Sequence, residues 1–384
     1  MVARPLTIVQ MVPELITGGV ERGTLETGAF LVRKGHRSIV ISNGGPMVDE
    51  LAQNGSEHIT LPVGCKNPKS LFCIPKLRKL FIEEKVDILH LRSRVPAWVG
   101  LLAAKTINKN TRPRIITGFH GFHSINAYSA IMTKGERVIA VSKPIRDHIK
   151  EKYGVSGDHV KMINRGFDAS RFDPVLVEQK RISELETKWG ITNEKGPFIM
   201  FPARFTEWKG HLLFLSALEK IKHLSWTAIL VGDENEKPNY AARLKKETIQ
   251  KGIGDRVVFT GHCNDMPAAL MLCDVAVSAS IEPEAFGRVA VEAQAMGVPV
   301  VATALGGSLE TIVPGKTGWL FPCTDVDAFA KALAEAVTNQ AKRQSMGQQA
   351  KAWVSEHFTT QLMCEKTLML YEELTVSPRN GAIR

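Results

Sequence analysis

Short apolar runs alternate along most of the chain with segments whose apolar residues recur at helical spacing. This alternation predicts βαβ units that build parallel sheets, in two successive series. The first series of predicted strands covers residues 6–12, 38–42, 58–61, 86–91, 114–119, 137–141 and 160–164. The second covers residues 197–203, 226–232, 256–260, 274–279, 299–304 and 318–321.

The segment between the two series, residues 167–195, is polar and poor in strand patterns, and we interpret it as a hinge. Three helical patterns at residues 326–338, 340–357 and 360–374 close the chain, and the last could complete either domain. The predicted fold class is therefore α/β with two Rossmann-like domains. Their predicted limits are 1–170 and 171–358, followed by a helix and a frayed tail at 359–384.

The composition is that of an ordinary globular protein, with 384 residues, 44% apolar and 23% charged. The apolar runs fall far short of the ~20 residues that cross a bilayer, and no secretory signal opens the chain. We therefore expect a cytoplasmic protein that can touch a membrane surface. Its six cysteines form no C-x-x-C pair, so inert thiols are expected and a zinc site is not.

The net charge of +10 is unevenly distributed. Residues 1–175 contain 26 Lys/Arg and 15 Asp/Glu, so the whole excess lies there and suggests an anionic partner. A nucleic-acid-binding protein is one alternative, but it requires a basic stripe with interleaved aromatics, and aromatics make up only 7%. The candidate cations near the fourth and fifth strands are Arg92, Arg94, Lys105, Lys109, Arg112 and Arg114.

An earlier basic cluster comprises Lys66, Lys69, Lys76, Arg78 and Lys79. Together with the apolar residues around it, its later part has the pattern of a basic amphipathic helix at a membrane surface. The alternative is an ordinary surface helix that packs its apolar face on the sheet.

The strand-to-helix loops are the natural places for ligands, because parallel strands and helix N-termini present free N–H groups there. After the first strand, Gly18 and Gly19 allow close backbone approach, and a helix begins at Glu21-Arg22. The loop is neither G-x-G-x-x-G nor a P-loop, so a dinucleotide fingerprint is unsupported. By itself the loop could be a plain tight turn.

Two cations flank the first loop of the second series. Arg204 stands at the strand end and Lys209 at the start of the next helix, so both can converge on one anion such as a diphosphate. The alternative is that both are solvated surface charges.

Two carboxylates follow the strand at 274–279. Glu284 lies in the loop, and Glu292 lies in a helix that begins near Phe286 or Gly287. On one helix they would be about 12 Å apart, too far for the ~5–5.5 Å pair of a retaining hydrolase. The two carboxylates are better suited to bind different hydroxyls of one extended ligand. The backbone N–H groups of residues 286–289 would face oxygen atoms of that ligand. The alternative for Glu292 is a charge on the solvent-exposed face of the helix.

These residues together resemble the family 4 retaining glycosyltransferases of GT-B fold, in which two Rossmann-like domains face each other across a cleft. The resemblance runs from about residue 6 to residue 375. It is carried by Gly18-Gly19-Val20-Glu21-Arg22, Arg204 with Lys209-Gly210, Glu284-Ala-Phe-Gly with Glu292, Gly306-Gly307-x-x-Glu310 and Gly315-x-x-Gly318-Trp319-Leu320. The closest overall likeness is to bacterial enzymes of lipopolysaccharide and cell-envelope synthesis.

The resemblance implies a role for each motif residue. Arg204 and Lys209 would hold the donor diphosphate, Glu284 the sugar hydroxyls and Glu292 the nucleotide ribose. Gly18 and Gly19 would close over phosphates and sugar, and His120 would lie near the donor sugar and the reaction centre. The remaining predicted donor contacts are the base loop Gly261-His262 and the helix start Phe286-Gly287-Arg288.

The implied reaction needs no cofactor and no metal, and no D-x-D motif occurs. A hexosyl-type sugar would leave a UDP- or GDP-linked donor with retention, while the domains close about the hinge. The acceptor would bind the N-terminal domain, where Arg92 and Arg94 are candidate contacts. An anionic glycolipid or glycan, used at the inner face of the cytoplasmic membrane, fits the charge.

Two further alternatives transfer no sugar. A sugar-nucleotide epimerase of the same fold would use the same donor, but the E-x7-E and Arg/Lys set is more similar to transferases. A non-catalytic binding module is disfavoured because no motif residue is missing. The turn Gly232-Asp233-Glu234-Asn235 and the extra Glu282 depart from the family pattern and leave the donor base open.

Overall fold

The computed structural model describes residues 4–16, 18–65, 68–191 and 196–378. The chain folds into two compact units that divide after Arg165 and again after Thr359. Unit 1 contains the residues up to Arg165 together with those from Thr360 onward, and unit 2 contains Gly166–Thr359. The predicted domain limits at 170 and 358 stay predictions of where the functional domains part.

Unit 1 is built on parallel strands. They are β1 (Thr7–Met11), β2 (Arg37–Ser42), β3 (Glu57–Thr60), β4 (Ile88–Leu91), β5 (Arg114–Phe119), β6 (Arg137–Ala140) and β7 (Val160–Met162). They pair in the order β3-β2-β1-β4-β5-β6-β7. The connecting helices are α1 (Gly19–Arg33), α2 (Val48–Gln53), α3 (Ile74–Glu83), α4 (Arg94–Lys105) and α5 (Lys143–Tyr153).

The sheet of unit 2 repeats this plan with six strands. They are β8 (Phe198–Pro202), β9 (Thr227–Val231), β10 (Val257–Gly261), β11 (Val275–Ser278), β12 (Val300–Thr303) and β13 (Gly318–Phe321), paired in the order β10-β9-β8-β11-β12-β13. The helices are α6 (Gln179–Trp189), α7 (His211–Lys220), α8 (Pro238–Gln250), α9 (Met266–Met271), α10 (Arg288–Ala295), α11 (Ser308–Thr311), α12 (Val326–Thr338) and α13 (Gln340–His357).

The central strands are buried along their whole length, which explains their continuous apolar sequences. All residues of β4, β5, β8, β9, β11 and β12 are buried, because helices cover both faces of a parallel sheet. Each predicted strand is present within two residues of its predicted ends. The small differences arise because strand ends are set by pairing with neighbours, which the sequence of one strand does not contain.

The last helix, α14 (Thr360–Val376), belongs to unit 1, which decides between the two predicted alternatives. Its buried residues Met363, Leu370, Tyr371 and Leu374 join a core that includes Leu6 and Ile8 of the first strand region. The predicted hinge contains α6 and a short 3-10 turn at Pro174–Leu176, while its residues 192–195 lie outside the described part.

Candidate active site

The strand order reverses at one point in each sheet, and the predicted ligand loops lie at these points. In unit 1 the reversal falls between β1 and β4, and in unit 2 between β8 and β11. Open parallel sheets bind ligands beyond the carboxyl ends of the strands at such reversals. The loop with Gly18 and Gly19 follows β1, the loop from Arg204 to Lys209 follows β8, and the loop with Glu284 follows β11.

An ion pair joins the two loops of unit 2. The Lys209 ammonium donates to Oε1 of Glu284 at 2.7 Å, and both side chains are largely buried, at 14% and 15% exposed. The Ser280 hydroxyl donates to the same Oε1 atom. In the described part of the chain, Oε2 of Glu284 has no hydrogen-bond donor, so one carboxylate oxygen is held in place and the other can accept from a ligand.

Close backbone contacts fix this pair. The Ile281 N–H donates to the Trp208 carbonyl at 2.8 Å, and Gly210 adopts a φ of 81° against the Ala279 carbonyl. The Gly307 N–H donates to the Glu284 carbonyl at 2.9 Å. A Cβ atom at Gly306 would lie 2.4 Å from that same carbonyl oxygen, so the Gly306-Gly307 pair lets the loop after β12 support Glu284.

Arg204 differs from Lys209 in its surroundings. Its side chain is exposed and has no ion pair or hydrogen bond within the described ranges. An unpaired guanidinium beside a fixed lysine leaves a fork of N–H donors available to an anion. The structure places both cations in one loop after β8, as the sequence predicts. Their joint contact with a diphosphate stays a prediction.

The helix after the Glu284 loop begins without a side-chain cap. Gly287 precedes α10 with a φ of 86°, and as a glycine it offers no side-chain cap to that helix. The first N–H groups of a helix carry a partial positive charge that favours anionic oxygens. The Phe286 side chain is only 3% exposed and packs in the core of unit 2, so a ligand contact there would come from its backbone.

Glu292 is partly buried rather than on a wet face. Its Oε1 atom lies 3.3 Å from Nη2 of Arg288, one helical turn earlier, and both side chains are 18% exposed. Arg288 therefore orients the carboxylate that is predicted to bind the ribose. The predicted base loop stands at the end of β10, where Gly261 has a φ of 71° and Nε2 of His262 lies 2.9 Å from Oδ1 of Asn264.

In unit 1 the glycine loop forms the start of α1. Gly18 has a φ of 151°, and a Cβ atom there would lie 2.4 Å from Oε2 of Glu21. Gly18 offers no side-chain cap to this 15-residue helix, and the Glu21 carboxylate lies against the start of the helix. Burial raises the pKa of Glu21. Thr17, which precedes Gly18, lies outside the described residues.

His120 follows β5 and contacts an arginine that the sequence pattern did not single out. Nη2 of Arg165 lies 3.0 Å from Nδ1 of His120. Nε2 of His120 is buried and has no hydrogen-bond partner in the described ranges. Burial and the guanidinium groups of Arg165 and Arg92 hold the pKa of His120 well below its usual range, so the ring is neutral.

The structure changes the interpretation of two predicted surface cations. Arg92 is 5% exposed, and its Nη2 donates to the Thr27 hydroxyl at 3.0 Å. Arg114 is also 5% exposed and pairs with Glu136 at 3.2 Å. Both guanidinium groups are therefore enclosed within unit 1 and do not belong to an exposed basic surface, whereas a contact of Arg92 with an acceptor stays a prediction. A count of residues along a sequence cannot separate buried from exposed arginines.

Arg94 fits the acceptor prediction better than Arg92 does. It stands at the start of α4, where Nη1 donates to the Ser129 hydroxyl at 3.2 Å and the guanidinium lies 5.4 Å from the centre of the Tyr128 ring. Tyr128 is 41% exposed, and Phe122 and Ile125 of the same segment are also exposed. Arg94 thus lies beside an exposed aromatic ring in unit 1.

Arg165 could have been suspected from one signal, the glycine at position 23. A glycine inside a helix costs about 1 kcal/mol relative to alanine, so its presence indicates a close contact. The structure supplies that contact, because a Cβ atom at Gly23 would lie 1.9 Å from Nη1 of Arg165. The two residues are far apart in sequence, and nothing local connects them.

Across residues 4–16, 18–65, 68–191 and 196–378, no group of three or more His, Cys, Asp or Glu residues could hold a metal ion. Over the same ranges no helix is both long and apolar enough to cross a membrane.

Solved structures with this architecture include several sugar transferases. A glycosyltransferase from Rickettsia africae is 34% identical, with a TM-score of 0.90 over 98% of this chain and 100% of that one. Anabaena HepE in complex with UDP-glucose is 23% identical, with a TM-score of 0.81 over 96% and 100%. WaaG, a glycosyltransferase of lipopolysaccharide biosynthesis, is 14% identical, with a TM-score of 0.71 over 97% and 100%.

Two relatives match over most of this chain. The chain is 26% identical to N-acetyl-alpha-D-glucosaminyl L-malate synthase of Bacillus anthracis, over 93% of this chain and 94% of that protein. It is also 26% identical to a GDP-mannose-dependent phosphatidylinositol monomannoside mannosyltransferase of Mycolicibacterium smegmatis, over 74% and 75%.

Two parallel Rossmann-like sheets, each with a loop at its strand reversal, are the GT-B architecture of these solved structures. The model of glycosyl transferases group 1 matches residues 184–353, and that of Glycosyltransferase Family 4 matches residues 17–171. The chain therefore belongs to the family 4 glycosyltransferases, which retain the configuration of the transferred sugar, and the epimerase, nucleic-acid and binding-module alternatives are set aside.

Proposed function

We propose that this glycosyltransferase moves a hexosyl-type sugar from a UDP- or GDP-linked donor to a lipopolysaccharide-core or other cell-envelope glycolipid or glycan acceptor. The observation that carries the donor half of the proposal is the pair of Lys209 and Glu284, with Arg204 unpaired in the same loop as Lys209. The Lys209 ammonium and the unpaired Arg204 guanidinium suit a diphosphate. The Oε2 atom of Glu284 can accept a hydrogen bond from a hydroxyl of the attached sugar.

The chemistry of the leaving group explains the cations. The bond between the anomeric carbon and the diphosphate oxygen breaks, so negative charge grows on the diphosphate while the sugar becomes oxocarbenium-like. Lys209, Arg204 and the uncapped start of α10 stabilise the diphosphate electrostatically, which is often the largest catalytic contribution. The reaction as proposed uses no metal ion or cofactor.

Retention follows in this proposal when the acceptor attacks on the face that the diphosphate leaves. The acceptor hydroxyl oxygen forms the new bond to the anomeric carbon, and its proton passes to the departing phosphate oxygen. No protein nucleophile is required. Glu284 accepts hydrogen bonds from sugar hydroxyls through Oε2, His120 lies near the sugar, and Glu292 holds the ribose.

The remaining donor contacts are backbone contacts. Gly18 and Gly19 at the start of α1 approach the phosphates and sugar, and Gly261 with His262 approaches the base. The start of α10 contributes Phe286, Gly287 and Arg288 through their N–H groups. UDP-glucose in the solved structure of Anabaena HepE supports a donor of this size.

An anionic acceptor is supported by charge and by the relatives. Residues 1–175 contain 26 Lys/Arg and 15 Asp/Glu, and the excess remains positive without the buried Arg92 and Arg114. Relatives act on a phosphatidylinositol mannoside and on malate, both of which are anionic. Arg94, beside the exposed Tyr128, is the acceptor contact that this proposal favours.

A peripheral contact with the inner face of the cytoplasmic membrane is part of the proposal. The turn Pro68–Cys73 exposes Leu71 and Phe72, at 48% and 79%, and α3, which follows it, exposes Lys76, Arg78 and Lys79. Apolar side chains next to clustered cations suit a surface of anionic lipid. Lys66 of the predicted cluster lies outside the described residues.

The acceptor is tested by transfer of a radiolabelled hexose. The protein is incubated with the best donor and with lipopolysaccharide-core, anionic glycolipid or neutral oligosaccharide acceptors, and the labelled products are separated. We expect transfer to a phosphorylated or carboxylated acceptor, with an α-configured product from an α-linked donor. Transfer to the neutral oligosaccharide alone would overturn the acceptor proposal.

Membrane contact is tested by sedimentation with vesicles of phosphatidylcholine with and without phosphatidylglycerol, at low and high salt. We expect binding that requires phosphatidylglycerol and weakens with salt, because exposed charges are screened over about 10 Å. The Phe72→Ser variant should bind less. Equal binding to both vesicle types would contradict the proposal.

A further inference from the structure

The contact between Arg165 and His120 determines which nitrogen of the histidine carries the proton. Nη2 of Arg165 lies 3.0 Å from Nδ1 of His120. A guanidinium group only donates hydrogen bonds and stays protonated, so Nδ1 must offer its lone pair. In a neutral ring the proton is then on Nε2.

The protonated nitrogen faces no acceptor within the protein. Nε2 of His120 is buried and has no hydrogen-bond partner in the described part of the chain. Leaving a buried donor unpaired is unfavourable, and native proteins rarely do so without a functional reason. An oxygen of a bound ligand would remove this penalty.

The surroundings keep the ring neutral, so that it can serve as a donor without carrying charge. Burial comes first, and the nearby guanidinium groups of Arg165 and Arg92 add to it in lowering the pKa of His120. His90 and His123 act in the same direction. Protonation of Nδ1 would also break the contact with Arg165.

Helix α1 is shaped to admit the Arg165 guanidinium. A Cβ atom at Gly23 would lie 1.9 Å from Nη1 of Arg165 and 3.7 Å from Nη1 of Arg92. Only glycine leaves this space, which explains why α1 carries a residue of low helix propensity in its second turn. Gly118 is constrained similarly, because a Cβ atom there would lie 2.7 Å from Nε2 of His120.

We propose that Arg165 is a positioning residue for sugar transfer, which holds His120 as the Nε2–H tautomer and directs this N–H toward a donor-sugar oxygen. The inference rests on the proposed function, in which His120 lies near the sugar. Arg165 itself touches neither donor nor acceptor in this proposal. Its effect on catalysis passes entirely through the imidazole ring.

The tautomer is measured by NMR on the full-length protein labelled with ¹⁵N-histidine, with the His120 signals assigned by their loss in His120→Gln. In the wild type we expect protonated Nε2 and unprotonated Nδ1 at pH 7. In Arg165→Met we expect a mixture of tautomers. Retention of the pure Nε2–H form in Arg165→Met would overturn the proposal.

Turnover provides the second readout. We expect kcat/KM to fall about ten- to a hundredfold in Arg165→Met, since misplacing one hydrogen-bond donor has effects of this order. His120→Gln and the double variant should show the same loss as each other, because Arg165 acts through His120. Independent, additive losses would contradict the proposal.

Two further variants guard against a simple folding defect. Arg165→Lys keeps a charged donor and should retain the Nε2–H tautomer, and guanidinium ions should partly restore turnover in Arg165→Ala.

The matched control is Arg146→Met, which replaces a half-buried arginine of α5 and should behave as wild type. If His120→Gln transfers sugar at the wild-type rate, the proposed role of His120 fails, whereas the NMR result still decides the tautomer.

Discussion

The Lys209 ammonium and the Glu284 carboxylate lie 2.7 Å apart although they are 75 positions apart in sequence. The two residues come from the loops after β8 and β11, the strands that flank the reversal of strand order in unit 2. Each side chain neutralises the other in a largely buried setting, so that replacing either one leaves an unpaired charge behind. The pair is therefore a structural element of unit 2 as well as the proposed contact of the donor.

Replacing Lys209 is predicted to affect stability as well as turnover. Lys209→Ala should lower kcat by about a hundredfold or more, because it removes a cation at the leaving diphosphate. It should also lower the free energy of unfolding by about 1–3 kcal/mol, since Glu284 loses its partner. The exposed Arg204 has no partner to lose, so Arg204→Ala should reduce turnover and leave stability unchanged.

Nucleoside diphosphate release and urea unfolding measure the two effects. The sequence alone would place Lys209 and Arg204 in one class, as surface cations of a loop whose removal spares the fold. Equal unfolding free energies for the two variants would contradict a structural role for the Lys209–Glu284 pair.

The fold could be predicted almost completely from the sequence, because its signals are local. Each buried strand is an apolar run, and each helix has its own periodicity, so the order of the elements follows directly. Contacts between residues that are far apart in the sequence produce no comparable local pattern. The sequence pointed to Lys209 and Glu284 separately, yet it could not show that they pair or that Ser280 holds the same carboxylate oxygen.

Glu292→Ala is predicted to weaken donor binding more than it slows transfer. A ribose contact is made equally in the ground state and the transition state, so KM for the donor should rise about tenfold with little change in kcat. Glu184→Ala is a suitable control, because Glu184 forms an i,i+4 pair with Lys180 on an exposed face of α6. A drop in kcat at unchanged KM would argue against the ribose role.

Gly210→Ala should be more damaging than Gly252→Ala. Both glycines have positive φ values, 81° and 67°, so both substitutions carry about 1 kcal/mol of backbone strain. At Gly210 the new Cβ atom would also lie 2.0 Å from the Ala279 carbonyl, whereas Gly252 has open space. Thermal unfolding should show a clearly larger loss for Gly210→Ala, with reduced turnover; equal losses would contradict the close packing of the two loops.

We predict that His211 makes the protein less stable in acid. Burial lowers the pKa of this histidine to about 4, compared with 6.5 for an exposed one. Between pH 6.5 and pH 4, His211 is therefore protonated in the unfolded chain but neutral in the folded protein. The free energy of unfolding falls as the pH falls through this range. At pH 5 the His211 contribution is a loss of about 2 kcal/mol.

Urea unfolding at pH 7 and pH 5 measures this dependence in the wild type and in His211→Phe. The variant should lose about 2 kcal/mol less than the wild type between the two pH values. His223→Phe, at an exposed position, is the control. An identical loss in wild type and His211→Phe would show that His211 does not contribute.

Unit 1 shows most clearly where sequence reasoning stops. Arg92, Arg94 and Arg114 look alike in the sequence, yet two are buried and one stacks on Tyr128 beside an exposed surface. Arg165 was not singled out, because it follows the short edge strand β7 and reaches His120 and Gly23 only in the folded chain. Burial and long-range contact decide what such residues do.

Everything proposed for this enzyme depends on Lys209, Glu284 and Arg204 forming the binding site of a nucleotide-sugar donor. The decisive experiment measures nucleoside diphosphate release from a panel of UDP-, GDP- and ADP-sugars, with the wild type and Lys209→Ala side by side. We predict release from at least one UDP- or GDP-sugar by the wild type, and a loss of about a hundredfold or more in Lys209→Ala. Undiminished release by Lys209→Ala, or no release from any donor by the folded wild type, would contradict this assignment.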